Sequence, residues 1–106
     1  MSLTPDDRPL LVFFTSRRSG PARRMESLLA HIARKERSRL RVNKVDVDER
    51  PEFAERFHVT QVPSLALIVE KRVVSRLEGR ATAPRIESML EPYLGEVEPQ
   101  AEAAVA

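Results

Sequence analysis

Leu10 to Thr15 (Leu-Leu-Val-Phe-Phe-Thr) is an apolar run without alternation, and it breaks into Ser19-Gly20-Pro21-Ala22 before a stretch of helical period begins. A strand that is apolar on both faces must be covered on both faces, which is achieved by laying helices on either side of a sheet. The stretch that follows supplies the first cover. Met25, Leu28, Leu29 and Ile32 recur at i, i+3, i+4 and i+7, while Arg24, Arg34, Lys35 and Glu36 lie off that stripe. The spacing predicts a central strand over 10–15 and an amphipathic helix over 20–37.

Leu40, Val42, Val45 and Val47 mark a second strand that runs out into Asp46-Val47-Asp48-Glu49. Pro51 suits the first turn of a short helix through Phe53 and Phe57, with acids just ahead of it favoured by the positive helix end. His58 falls where that helix needs a left-handed residue to stop. Residues 64–69 and 72–77 read as strands separated only by Glu70-Lys71, a two-residue hairpin, and Gly79 closes the unit. The last helix puts Ile86, Met89, Leu90, Tyr93 and Leu94 on one stripe, with Pro92 cutting its final turn. In 106 residues, this β-α-β-α-β-β-α order predicts one α/β domain over 9–95, a four-stranded mixed sheet flanked by helices. Residues 1–8 are expected to be a flexible start, and the Glu/Ala/Pro-rich residues 96–106 a disordered tail.

The strand, the Ser19-Gly20-Pro21-Ala22 turn and the helix resemble the strand, Cys-Gly-Pro-Cys turn and helix of the thioredoxin family. Val62-Pro63-Ser64 resembles that family's Ile-cis-Pro-Thr turn, and Lys44-Val45-Asp46-Val47-Asp48 its Lys-x-Asn/Asp-x-Asp strand end. The resemblance implies the minimal thioredoxin-like fold. It also implies a cis bond before Pro63, with the backbone of Val62 offered to an extended peptide. Ser19 and Ala22 stand where the family has its nucleophilic and resolving cysteines, Phe13 where it has a buried Asp that moves protons, and Arg18 where it has Trp. These four departures read as inherited. The family also begins with an extra strand and helix, so the 41–46 strand is expected at an open sheet edge. Such an edge could pair with a second copy as a homodimer, and Arg41 and Lys44 are its charged guards.

The sequence contains no cysteine, which excludes a disulfide framework, a thiolate nucleophile and any dithiol exchange by this chain. No cofactor is implied. His31 and His58 have no metal-ligand spacing, so no metal site is expected. The polar start lacks the order of a secretory signal and no apolar run approaches a membrane span, so the expected location is cytoplasmic with no membrane partner. The formal charge is only +2, with 18 basic and 16 acidic residues. Yet 10 basic and 2 acidic residues fall between Arg17 and Lys44, an asymmetry that suits an anionic partner.

Ser19 has an ordinary role as the N-cap of the helix, its oxygen accepting from the Ala22 amide. As a nucleophile it would need a base, and His58 is the one candidate. Arg17, Arg18, Arg23 and Arg24 surround the corner, where cations oppose the helix dipole. With Val62 and Pro63 they are the candidate partner-binding residues. Arg34, Lys35, Arg37, Arg39 and Arg41 gather at the far helix end, where cations are favourable. The leading reading is a non-catalytic binding module, not an enzyme, that docks an acidic or extended segment of a protein partner. The alternatives are a disulfide oxidoreductase relative in family only, and phosphate or nucleic-acid binding. For the last, Phe13, Phe14, Phe53, Phe57 and Tyr93 are expected in the core and unavailable for stacking.

Overall fold

The computed structural model describes residues 7–94. Residues 1–6 and 95–106, which include most of the expected flexible start and all of the expected tail, lie outside the described residues.

The elements follow the order read from the sequence: β1 (Leu10–Thr15), α1 (Gly20–Lys35), β2 (Arg41–Asp46), α2 (Pro51–Arg56), β3 (Ser64–Val69), β4 (Arg72–Glu78) and α3 (Ala83–Leu90), with a single 3-10 turn at Glu91–Tyr93. They build a four-stranded mixed sheet in the order β2-β1-β3-β4. β1 is parallel to β2 and antiparallel to β3, and β3 is antiparallel to β4. The inner pair, β1 and β3, is apolar on both faces, as covered strands must be. Leu11, Phe13, Leu65 and Leu67 pack under α1 and α3 against Met25, Leu29, Ile32, Ile86, Met89 and Leu90. Val12, Phe14 and Ala66 face α2, with Phe53, Phe57 and Val59 packed on them.

α1 ends two residues short of the predicted stop. The Glu36 carbonyl accepts from the amides of Arg39 and Leu40, both at 2.8 Å, and its carboxylate holds the Arg39 guanidinium at 2.6 Å. This local turn takes over the donors that another helical turn would need. Glu70 and Lys71 both have positive φ, 54° and 69°, so the hairpin takes the mirror-image turn that matches strand twist without the usual Asn-Gly pair. A register shift between Leu67 and Ile68 follows across the ladder. His58 has φ 58° and ends α2 as predicted.

The aromatic residues divide against expectation. Phe13 and Phe14 are buried, Phe53 and Phe57 are half-buried, and Tyr93 is 37% exposed. Tyr93 follows Pro92, where the chain leaves the α-helix, so the stripe predicted over 86–94 loses its last face. β2 lies at the sheet edge. Its Arg41 side chain is turned onto the Arg8 carbonyl, and Lys44 lies 3.8 Å from Glu26. Among the described residues no helix is long and apolar enough to cross a membrane.

Candidate functional site

Strand direction decides which loops meet. Thr15 is opposite Asp46 in the parallel pair, Phe14 is opposite Ser64, and Ser64 is opposite Glu78. The segments that leave β1, β2 and β4 and the one that enters β3 therefore emerge at one end of the sheet. Residues 16–20, 46–50, 61–63 and 79–82 share that end, and the Gly79 amide ties two of them together by donating to the Pro63 carbonyl at 2.8 Å.

Ser19 caps α1 with extended backbone, φ −101° and ψ 111°, and its hydroxyl accepts from the Ala22 amide at 3.1 Å. Its own amide donates to the Ser16 carbonyl, and its carbonyl accepts from Arg23. No hydrogen bond links it to His58, an exposed residue whose carbonyl accepts from Arg76. Pro21 lies in the first helical turn, Gly20 is exposed, and Ala22 is fully buried. Phe13 sits in the core beneath at 1% exposure. The Val62–Pro63 bond is cis, and Pro63 is buried. Among the described residues neither the N–H nor the C=O of Val62 has a backbone partner.

The four arginines do not form the single group that the sequence suggested. Arg17 reaches Glu49 at 2.6 Å and Asp46 at 3.8 Å, and Arg18 reaches Asp48 at 2.9 Å. Ser16 donates its hydroxyl to the same Asp48 at 2.5 Å and accepts from the Arg18 amide. The cause is the parallel register, which brings the acidic end of β2 beside the residues leaving β1. Two cations are thus neutralised within the chain. Arg23 and Arg24, on the outer side of α1, have no acidic partner among the described residues. The sequence reading missed Arg80, which also has none and which the Gly79–Pro63 bond holds at this end. The glycine after the last strand was its signal, since Gly79 with φ 84° turns the chain back across the site.

The Arg18 hydrogen bond and then the Ser16 hydroxyl hold the Asp48 carboxyl below its ordinary range, and Asp48 in turn raises Arg18. A depressed carboxylate stabilises the fold above its unfolded midpoint, and the contribution fades as pH falls through the folded one. Both groups are exposed to solvent, so the effect on stability is small. In an NMR pH titration Asp48 should therefore turn over below the ordinary aspartate range, and Arg18→Gln should move that midpoint up. An unmoved midpoint would show that the clasp does not persist in solution.

No cluster of three His, Asp or Glu suited to a metal occurs among the described residues. The arrangement offers a capped helix start, an unpaired backbone edge at Val62, and arginines on one flank.

A family model described as thioredoxin matches residues 2–92. Among curated relatives, the thioredoxin of Alicyclobacillus acidocaldarius is 33% identical over 88 residues, covering 83% of this chain and 84% of that protein. The bifunctional thioredoxin reductase/thioredoxin of Mycobacterium leprae is 36% identical over 73 residues, which are 69% of this chain and 16% of that protein. Among solved structures, the germline-specific thioredoxin Deadhead of Drosophila melanogaster matches with a TM-score of 0.77 at 30% identity, covering 82% of each chain.

Proposed function

The chain belongs to the thioredoxin family and has no cysteine, and we propose that it is a non-catalytic binding module that docks an extended, acidic segment of a partner protein. The observation that carries this reading is the fate of the two cysteine positions. Ser19 spends its hydroxyl on capping α1 and Ala22 is buried without a functional group. A serine hydroxyl hardly ionises near neutral pH and forms no disulfide, so thiol exchange at this corner would need sulfur from another molecule.

The surroundings support retention as a docking surface. The free N–H and C=O of Val62 suit the backbone of an extended peptide, which would pair there as a very short added strand. Arg23 and Arg24 stand on the adjacent flank without partners among the described residues, and their position early in a helix costs about 0.3–1 kcal/mol per badly placed charge. An anionic ligand offsets that cost. Arg17 and Arg18, bound to Asp48 and Glu49, contribute less to it than the sequence suggested.

Chemical-shift mapping tests the reading. An acidic peptide titrated into labelled protein should move the amides of Ser19, Gly20, Ala22 and Val62. The absence of movement there at low salt would reject it.

A further inference from the structure

Beside the capped corner runs a groove of about 460 Å³ lined by Pro21, Arg24, Met25, Leu28, Arg80, Ala81 and Thr82. One wall is the outer flank of α1 and the other is the loop between β4 and α3. We propose that this groove receives an apolar side chain of the docked segment, and that Arg24 and Arg80 hold the carboxylates on either side of it. The inference rests on the binding-module reading above and adds the sequence class of the segment: an apolar residue flanked by Asp or Glu.

Three observations lead to it. First, the lining is divided by chemistry. Met25 is buried and Pro21, Leu28 and Ala81 are half-buried, so they form an apolar lining, while both arginines are exposed and no acidic residue lines the groove. Second, the arginines facing the β2 side of the corner are consumed by acids of this chain, whereas Arg24 and Arg80 have no partner among the described residues. A guanidinium presents a planar fork of donors that fits a carboxylate in bidentate fashion, and two such forks across an apolar strip fit an acid-apolar-acid sequence. Third, the Gly79–Pro63 hydrogen bond ties the 79–82 loop, one wall of the groove, to the turn that carries Val62. An extended chain advances about 3.3 Å per residue, so a segment paired at Val62 crosses into the groove within a few residues.

Arg24 is also confined in position. A Cβ placed on Gly20 would lie 3.2 Å from its Nη1, so the guanidinium lies back over the first turn of α1, toward the capped corner. Gly20 leaves room for it there.

Fluorescence anisotropy with three labelled peptides, Glu-Glu-Leu-Glu-Glu, Glu-Glu-Gly-Glu-Glu and Lys-Lys-Leu-Lys-Lys, decides the matter at low salt. The leucine peptide should bind saturably, the glycine peptide at least about fivefold more weakly, and the lysine peptide not at all. Arg24→Glu and Arg80→Glu should each weaken the leucine peptide by about tenfold or more, while Arg85→Glu, on α3 outside the groove, should leave it unchanged. Circular dichroism melts confirm that each variant is folded. Arg24→Glu should melt no earlier than the parent, since an acid suits the start of a helix. Equal binding of the leucine and glycine peptides, or indifference to Arg24→Glu and Arg80→Glu, overturns the inference and leaves the binding-module reading in place. Failure of every acidic peptide to bind the parent protein removes both.

Discussion

Phe13→Asp, which restores the family's acid to its place in β1, should unfold this chain at neutral pH. Phe13 is 1% exposed and belongs to the core cluster under α1 and α3. Losing a buried Phe side chain alone costs about 3–5 kcal/mol, and an unpaired carboxylate in its place adds a desolvation penalty of several kcal/mol more. Against a typical domain stability of about 5–15 kcal/mol, the variant has little or no folded population. Lys44, which shares the groove beside Phe13, is turned toward Glu26 at 3.8 Å and offers no free countercharge. Burial would raise the new carboxyl above its ordinary midpoint, so its penalty is absent in acid and grows as pH rises through the folded midpoint. Urea denaturation should show a cooperative transition for Phe13→Leu, reduced by about 1 kcal/mol, and for Phe13→Asp none at pH 7. A Phe13→Asp protein as stable as its parent at pH 7 would mean that this core still accommodates the charge used in dithiol chemistry.

Arg76→Ala should cost about 2 kcal/mol, from the loss of two charge-assisted hydrogen bonds partly open to solvent. The Arg76 guanidinium donates to the Phe57 carbonyl at 2.7 Å and to the His58 carbonyl at 3.1 Å. These carbonyls follow α2, a helix of only 6 residues that would not persist alone. Phe53 and Phe57 fasten it to the sheet by packing, with the Phe57 ring 5.5 Å from that of Phe14, and Arg76 fastens its exit. Amide exchange should therefore accelerate first over residues 51–58, with the urea midpoint falling and Arg76→Lys recovering part of the loss. Unchanged exchange over 51–58 would mean that packing alone holds α2.

What could be read from the sequence was local. The N-cap at Ser19 needs only its own hydroxyl and an amide three residues on, and the structure has that bond. The hairpin at Glu70-Lys71 was visible because two apolar runs leave just two residues between them, and His58 because the pattern of α2 stops there. The order of elements along the chain followed from their periods and connections, whereas the place of β2 at the sheet edge was implied by the family resemblance. The rest depended on register. Nothing near Arg17 or Arg18 in the chain announces Asp46, Asp48 and Glu49, about thirty positions later. The parallel alignment of β1 with β2 creates those pairs. Arg80 was hidden for the same reason, being brought to the site by the turn at Gly79 and its bond to Pro63. Arg76 reads as an exposed strand cation until β4 is placed beside β3 and above α2. The four arginines of the corner thus looked equivalent in sequence, and three-dimensional pairing separates the two held by acids of this chain from the two without an acidic partner among the described residues.

On the proposed reading, the family fold persists here as a surface for holding an extended acidic chain. Its most direct test is a low-salt titration of the Glu-Glu-Leu-Glu-Glu peptide into ¹⁵N-labelled protein, followed by amide chemical shifts. Saturable shifts should cluster at Ser19, Gly20, Ala22 to Arg24, Val62 and Gly79 to Thr82, with β2 and the hairpin at Glu70-Lys71 unmoved. Shifts confined to β2, or none anywhere, would contradict it.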